Sequence, residues 1–430
     1  MNIERFFQLK AHKTTIQKEV VAGLTTFSTM VYIIFVNPQL LASAGMDYGA
    51  VFVATCLAAA LGTLIMGLFA NYPIALAPGM GLNAFFTYTM VLQMGYTWQV
   101  GLGAVFLSGV CFFFLSVFKL REWLLQIIPE TLKLSISAGI GLFLALLALN
   151  NAQIIVSHPA TLVSMGDLTQ WPPLMAMLSF LIILVLVYRN IKSAVLWSLI
   201  VVTCLSLWVG ETSYQGFMGL PPSLAPTFMQ MDIAGALEVG MLTIIFSLLF
   251  VDIFDTTGTL VAVAEKGKLL DKKGQLPRLN RALVADSSAT IFGAILGTST
   301  TTSYMESTAG VSVGGRTGLT SVVVALCFLL SLFFAPIAQI IPSYATSGAL
   351  FYVAILMLSS LGQVHWEDLT EAAPAGVVCI TMPLTTSIAS GIGLGFITYS
   401  FLKFFSGRKE ELNIGVILVS LLFLIKFSLF

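Results

Sequence analysis

The chain has 430 residues, of which 57% are hydrophobic and only 9% carry a charge, whereas about 25% of the residues of an ordinary soluble domain are charged. This composition excludes a water-soluble globule and indicates a protein embedded in a lipid bilayer. The 20 basic and 20 acidic residues balance, so electrostatics gives no reason to expect a nucleic-acid partner.

A membrane-spanning helix needs about 20 mostly apolar residues, and the chain contains two series of such segments. The first series lies at roughly 18–42, 50–70, 73–91, 98–118, 131–150, 172–188 and 193–210. After a polar connection, the second lies at roughly 234–264, 281–297, 300–314, 318–341, 345–361, 370–383, 385–404 and 413–428. Pro383 either splits 370–404 into two spans or kinks one helix. We count about fourteen spans, or fifteen, and we favour the split, which leaves the place of 413–428 open.

Basic residues in the loops predict the orientation of the chain in the membrane. With seven spans in the first series, the following all fall on one side: Arg5, Lys10, Lys13, Lys18, Lys119, Arg121, Lys133, Arg189, Lys192, Lys266, Lys268, Lys272, Lys273, Arg278 and Arg281. Lys403, Arg408 and Lys409 join them only if Pro383 splits its stretch. Since no cleavable signal pattern precedes the first span, we expect a multi-pass protein of a bacterial inner membrane with a cytoplasmic N-terminus.

Each series has a short, Gly-rich segment in third position. The first reads Ala77-Pro-Gly-Met-Gly-Leu-Asn-Ala-Phe-Phe86, and the second reads Gly297-Thr-Ser-Thr-Thr-Thr-Ser-Tyr-Met-Glu-Ser-Thr-Ala-Gly310. Seven spans followed by about seven spans would give two repeats of opposite topology. Interrupted segments at matching places in two such repeats predict a substrate site near the middle of the membrane.

Three acidic residues, Asp252, Asp255 and Glu306, lie in these apolar or interrupted stretches. A carboxylate at the centre of a bilayer costs about 2.5–3.5 kcal/mol, so it usually faces a path for substrate or ions. Asp252 and Asp255 are three residues apart and share one face of a helix. Burial and a neighbouring acid both favour the protonated form, which suits a proton-coupling carboxylate. The alternative is a structural acid that hydroxyls or backbone donors hold in place.

Further candidates lie near the interrupted segments. The amide of Asn83 offers donors and acceptors that suit the edge of a heterocycle, although a buried Asn can also tie two helices together. Phe85 and Phe86 either stack on a flat ligand or simply pack. Arg316 is most simply an anchor at the membrane surface.

The sequence contains no grouping typical of an enzyme or a metal centre. Its five cysteines are isolated, and no Ser/His/Asp set, HExxH motif or P-loop is present. We therefore predict a transporter without a bound cofactor, in which an ion gradient supplies the energy unless a separate ATPase subunit drives transport.

At these motifs the chain resembles the AzgA-like purine-base permeases, a branch of the nucleobase–ascorbate (xanthine/uracil permease) family. The matching stretches are Val21-Ala-Gly-Leu-Thr-Thr-Phe27 with Asn37-Pro38, Gly79-Met-Gly-Leu-Asn-Ala-Phe-Phe86, Phe254-Asp-Thr-Thr-Gly-Thr-Leu260, Tyr304-Met-Glu-Ser-Thr-Ala-Gly310 and Gly314-Gly-Arg-Thr-Gly-Leu319. The resemblance extends over nearly the whole chain, and its last two motifs are specific.

The resemblance implies an all-α polytopic membrane protein of fourteen segments in two inverted repeats of seven, with strand and half-helix breaks in segments 3 and 10. Segments 1–4 and 8–11 would form a core domain (1–128 and 233–342), and segments 5–7 and 12–14 a gate domain (129–232 and 343–430). The base would bind between segments 3 and 10, and relatives often form homodimers.

Family roles carry over residue by residue. Asp255 matches the acid of segment 8 that contacts the substrate, Glu306 matches the acid of segment 10 that hydrogen-bonds the base, and Asn83 matches a polar position of segment 3. We place Phe85, Tyr304 and Met305 at the same substrate site. The uracil branch has Glu followed four residues later by His where this chain has Asp255 and Thr259, which favours a purine over uracil.

The sequence therefore predicts proton-coupled uptake of a purine nucleobase, with adenine slightly favoured over guanine and hypoxanthine. Asp255 is the first choice for the coupling carboxylate, and Glu306 and Asp252 are the alternatives. An anion transporter of the same architecture is disfavoured, because the site holds acids and no basic residue at the membrane centre. A passive channel or a membrane-embedded enzyme is disfavoured further.

Overall fold

The structure of the protein is a computed structural model that describes residues 3–118, 129–214, 216–271 and 276–429. Within these ranges, nine helices are long and apolar enough to cross a membrane, and three further apolar helices are shorter. The prediction of a mostly helical, polytopic membrane protein is thus confirmed. Four of the basic residues behind the predicted orientation lie outside the described ranges: Lys119, Arg121, Lys272 and Lys273.

The first half of the chain contains the first seven predicted segments. Its elements are α1 (Ile3–Phe6), α2 (Ile16–Met30), α3 (Ile33–Ser43), α4 (Tyr48–Ile65) with a π-helical turn (Met66–Ala70), β1 (Leu76–Pro78), α5 (Met80–Ala84) with a π-helix (Phe85–Gln93), α6 (Trp98–Val117), α7 (Glu130–Asn151), β2 (Ile155–His158), β3 (Leu162–Met165), α8 (Trp171–Tyr188) and α9 (Ala194–Val209). The exposed hairpin of β2 and β3 was not predicted from the sequence.

The second half contains the remaining segments. Its elements are α10 (Ile233–Ala236), α11 (Val239–Lys266), α12 (Leu279–Leu296), β4 (Thr301–Ser303), α13 (Ser307–Ser312), α14 (Gly318–Ser331) with a 3-10 turn (Leu332–Phe334), α15 (Ala335–Ile340), α16 (Ser343–Leu358) with a 3-10 turn (Ser359–Gln363), α17 (Leu369–Thr385), α18 (Ile388–Phe405), a 3-10 turn (Lys409–Glu411) and α19 (Ile414–Leu429).

The first predicted span, observed as Ile16–Ser43, is one apolar segment in which a two-residue turn separates α2 from α3. α2 begins after Thr15, whose side chain accepts the N–H of Lys18 as an N-cap. It ends at Met30, and α3 begins at Ile33. The short break between them brings Val31 and Tyr32 to the centre of the segment.

The predicted split near Pro383 is confirmed. Thr386 has a left-handed backbone (φ 50°) that ends α17, and Ser387 caps the start of α18. α19 then runs antiparallel beside α18, where the hydroxyls of Ser400 and Ser420 lie 2.7 Å apart. α19 is therefore a further apolar helix after the fourteenth segment.

Packing separates the helices into two groups. In the first group α4 and α6 pack on α12, and α2 and α4 pack on α14. In the second group α7 packs on α16 and α17, α8 packs on α9 and α16, and α17 packs on α18. The groups meet along a narrower boundary, where α5 and α11 touch α7 and where α3 touches α16.

The two interrupted segments meet inside the first group. β1 and β4 form an antiparallel pair in which Leu76 is opposite Ser303 and Pro78 is opposite Thr301. α5 follows β1 and α13 follows β4. This confirms the predicted strand and half-helix breaks in segments 3 and 10. α13 sits directly on α2, because a Cβ at Gly310 would come within 2.1 Å of the Thr26 hydroxyl.

Candidate functional site

The β1–β4 pair places the N-termini of two half-helices, α5 and α13, near each other inside the protein. The first backbone N–H groups of a helix have no partner within that helix, so they add positive potential at its start. Polar side chains from α11, α12 and the α2–α3 break surround this pair. The arrangement can bind a small polar molecule between helix ends.

Glu306 lies immediately before α13 and is partly buried. The Tyr32 hydroxyl donates to Glu306 Oε1 over 2.5 Å, and the Thr29 hydroxyl donates to the Glu306 backbone oxygen over 3.4 Å. Thr29, in the last turn of α2, and Tyr32, just after it, therefore hold the backbone and the side chain of this acid. The structure places Glu306 at the second interrupted segment, in contact with the first span.

Asp255 lies on α11, close enough to Glu306 for the two charges to interact. It is partly buried, and among the described residues no hydrogen-bond donor contacts its carboxylate. Tyr352 on α16 also lies within electrostatic range of Glu306. The predicted acids of segments 8 and 10 are thus brought together, and the second helix group contributes a phenol beside them.

Asp252 lies deeper than Asp255. It is fully buried, and its Oδ2 accepts a 3.3 Å hydrogen bond from Thr290 on α12. Asp286, also on α12 and within electrostatic range of Asp252, accepts from Thr256 over 2.8 Å and from Ser303 over 2.9 Å. These contacts make a buried acidic layer between α11, α12 and β4.

Asn83 belongs to a chain of buried hydrogen bonds. Its Nδ2 donates to Asn37 Oδ1 over 2.7 Å, and its Oδ1 accepts from the Ser299 hydroxyl. Asn37 in turn donates to Thr55 and Thr298 over 2.7 and 2.9 Å. The chain ties the start of segment 3 to the residues before β4.

The aromatic candidates differ in accessibility. Phe85 and Phe86 are buried against neighbouring helices. The Tyr304 hydroxyl donates to the Pro78 backbone oxygen over 2.6 Å and so bridges the two interrupted segments. Met305 beside it is 46% exposed, which makes it the accessible apolar neighbour of Glu306.

Within the described ranges, basic side chains do not form ion pairs with Asp252, Asp255 or Glu306. Across the described ranges, the ion pairs join Lys403 to Glu371 and Glu411, and Arg408 to Asp368. Arg316, predicted as a surface anchor, donates to the Val311 oxygen at the last turn of α13 over 2.6 Å. In the described part of the chain, Asp252, Asp255 and Glu306 are therefore without an ion-pair partner.

Sequence reasoning missed three residues of this region. Asp286 carries the same signal as Asp252, an acid in an apolar stretch, and that criterion could have found it. Asn37 was noted only as part of a motif, although a polar residue in a spanning segment is itself a sign. Tyr32 gives no such sign, since one Tyr in an apolar helix is ordinary.

The Xan_ur_permease model, which describes a permease family, matches residues 17–394. The chain belongs to this family. As predicted, it is a membrane transporter of the nucleobase permease type and not an enzyme.

Several curated relatives match along almost the full chain. The adenine permease AdeP of Escherichia coli (strain K12) is 50% identical over 424 residues, which cover 99% of this chain and 95% of AdeP. The adenine permease AdeQ of the same organism is 47% identical over 427 residues, covering 99% and 96%. The guanine/hypoxanthine permease PbuO of Bacillus subtilis (strain 168) is 42% identical over 428 residues, covering 98% and 99%. These matches confirm the resemblance to purine-base permeases.

Solved structures match the fold. The transmembrane domain of the cyanobacterial bicarbonate transporter BicA superposes with a TM-score of 0.67 at 17% identity, covering 87% of this chain and 97% of that domain. At this identity the likeness concerns the fold alone.

Proposed function

We propose that the protein takes up a purine nucleobase together with protons, and that adenine is preferred. The observation that carries the proposal is the full-length, 50% identity with the adenine permease AdeP, joined to an acidic pair at the interrupted segments. Guanine and hypoxanthine are the second candidates, because PbuO is also similar over its whole length at 42% identity.

The chemistry of the site suits a neutral purine. Adenine carries N–H donors on its ring and its exocyclic amine, and an ionised Glu306 accepts such donors. The ring nitrogens of adenine are acceptors, which the first N–H groups of α5 complement. The first N–H groups of α13 already donate to the backbone oxygens of Tyr304, Met305 and Glu306. Met305 offers an apolar contact for the flat ring. An anion would meet Asp255 and Glu306 without a basic partner, so charge complementarity opposes the anion alternative.

Three predicted contacts remain part of the proposal. Tyr304 is hydrogen-bonded to Pro78 of β1, and its ring would contact the base. Phe85 would have to become accessible before it stacks on a ligand, since it is buried here. Asn83 would have to leave Asn37 or Ser299 before its amide contacts the base directly.

We assign the coupling proton to Asp255. Tyr32 stabilises the ionised form of Glu306, whereas Asp255 lacks a donor among the described residues and lies beside another acid. Both conditions favour a proton on Asp255. Asp252, deeper in the acidic layer, would be the alternative carboxylate for the coupling proton. Protonation of Asp255 would reduce the negative charge of the loaded site before it moves.

The two helix groups would act as the predicted core and gate domains. The core would comprise 1–128 and 233–342, and the gate would comprise 129–232 and 343–430. Movement between them is supported by their narrow boundary and by the position of the site beside it. We further propose a bacterial inner-membrane location, a cytoplasmic N-terminus and a homodimer.

Uptake of labelled adenine into proteoliposomes with an imposed pH gradient tests this proposal, with unlabelled adenine, guanine, hypoxanthine, xanthine and uracil as competitors. Gradient-driven uptake that adenine blocks most strongly is the expected result. Strong block by guanine and hypoxanthine with weak block by adenine would move the substrate to the second candidates. Absence of purine uptake by folded protein would contradict the proposal.

A further inference from the structure

Tyr32 has a position that neither its sequence context nor a packing role explains. It lies in the break between α2 and α3 and is only 1% exposed. A buried phenol needs a hydrogen-bond partner, and the partner of this one is the carboxylate of Glu306, 2.5 Å from Oη to Oε1. The contact joins residues 274 positions apart in the chain. It therefore depends on how the first segment of one repeat packs against the broken segment of the other.

We propose that Tyr32 is a positioning residue for recognition of the base: its hydroxyl fixes the Glu306 carboxylate in the ionised form and leaves Oε2 to accept an N–H of the purine. This inference rests on the proposed function. Hydrogen bonds from a neutral donor to a charged acceptor are stronger than those to a neutral acceptor. The Tyr32 hydroxyl consequently favours the anion over the protonated acid.

The surroundings of Glu306 support this role. The titratable groups that face it are Tyr32, Tyr304, Asp255 on α11 and Tyr352 on α16. Tyr304 donates its hydroxyl to the Pro78 backbone, and Asp255 opposes a second negative charge. Among the described side chains, Tyr32 is thus the donor that holds Glu306.

The proposal predicts which part of the pH profile depends on Tyr32. Binding of the base needs ionised Glu306 and falls on the acid side as that carboxylate takes up a proton. Without the Tyr32 hydroxyl, the protonated form is reached sooner as the pH falls. On the acid side of the pH profile (the acid limb), the fall in adenine affinity should therefore begin at higher pH in Tyr32→Phe. On the alkaline side (the alkaline limb), where the fall reflects Asp255, the pH of the fall should not change.

The experiment compares the wild type with Tyr32→Phe and a matched control in detergent solution. Adenine affinity is measured from pH 4 to 9 by the ligand-induced rise in melting temperature, and KM and Vmax are measured in proteoliposomes. The control is Tyr48→Phe, which removes another largely buried tyrosine hydroxyl, one that donates to the Ala338 oxygen over 2.8 Å away from the acids. We expect about tenfold weaker adenine binding and an acid limb about one pH unit higher in Tyr32→Phe only.

The outcomes separate the two claims. If the wild type binds no purine, the proposed function fails. If the wild type binds adenine but Tyr32→Phe has the same affinity and acid limb, the role of Tyr32 alone is overturned. A Vmax decrease at unchanged KM would also overturn it, because positioning for recognition acts on affinity.

A second variant keeps the test decisive if Tyr32→Phe is not recovered as folded protein. Tyr32→His retains a ring N–H donor on a shorter side chain. Its affinity for adenine should fall less than tenfold, and its acid limb should shift by less than one pH unit. A tenfold or larger loss of adenine affinity in folded Tyr32→His, which keeps the donor, would count against the proposal.

Discussion

The two interrupted segments have the same architecture but different chemistry. β1 and α5 are built from small and apolar residues, and their polar residue, Asn83, is engaged at both ends of its amide. β4 and α13 carry hydroxyls and Glu306, beside the 46% exposed Met305. The polar side chain of the first segment thus serves structural hydrogen bonds, whereas the second segment carries the acidic Glu306 and the accessible Met305.

This difference shows how a duplicated fold can serve one asymmetric ligand. An inverted repeat brings two similar half-helices to the same place, but a purine has different groups on its different edges. One half-helix can then be specialised for charge while its counterpart keeps the geometry. The comparison predicts that substitutions in the second segment affect function first, and that those in the first affect stability first.

The largest effect should follow replacement of the acid of the second segment. Glu306→Gln keeps the size of the side chain and an acceptor for Tyr32 but removes the charge that we propose binds the purine N–H. We expect adenine affinity to fall about 10- to 100-fold, measured as ligand-induced stabilisation of the purified protein. An adenine affinity within twofold of the wild type would contradict the functional difference between the two interrupted segments, because Glu306 would then not contribute to binding.

A different loss is expected at the neighbouring acid. Asp255→Asn removes the protonatable group, so a pH gradient should no longer drive accumulation of adenine above equilibrium. Exchange of labelled for unlabelled adenine across the proteoliposome membrane should continue, since exchange needs no net proton movement. Undiminished gradient-driven accumulation would exclude Asp255 as the coupling carboxylate.

A stability effect is expected in the first segment. Asn83→Ala leaves buried partners unsatisfied and should lower the free energy of unfolding by about 1–3 kcal/mol. Asn37→Ala breaks the same hydrogen-bonded chain and is the matched control. We expect similar losses of melting temperature and of adenine affinity in both variants. An affinity loss clearly larger in Asn83→Ala would show direct contact with the base and weaken the contrast between the segments.

The smallest effect is expected at Asp368, which lies far from both interrupted segments and serves as a reference site. The Thr370 hydroxyl and, after it, the Arg408 guanidinium hold the pKa of Asp368, in the loop before α17, at about 2. This value is below that of an unfolded chain, so the stabilisation is present above about pH 4 and is lost as the pH falls toward 2. Asp368→Asn should slightly lower the melting temperature at pH 7, and the difference should shrink below about pH 4. A difference that is constant with pH would contradict this.

Much of the architecture follows from local signals in the sequence. Apolar length predicts the spans, Pro383 predicts the split into α17 and α18, and paired Gly-rich interruptions predict where β1 and β4 occur. Glu306 and Asp255 stand out because acids are costly in apolar segments. These features are local or repeated, so one sequence is enough to detect them.

Other features depend on contacts between distant parts of the chain. The register of β1 against β4 and the bond between Tyr32 and Glu306 are set by the packing of whole segments. The engagement of Asn83 by Ser299 is of the same kind, since the partners are 216 positions apart in the chain. Residue types alone do not contain this information, which is why Tyr32 was missed.

The antiparallel course of α19 has a practical consequence for labelling. Gly393, near the start of α18, packs on Phe423 and Phe427 near the end of α19, whereas Lys403 lies at the opposite end of α18. A fluorescent protein fused after α19 would therefore emerge on the membrane face opposite to Lys403. A reporter that must mature on the Lys403 face belongs in the turn between α18 and α19.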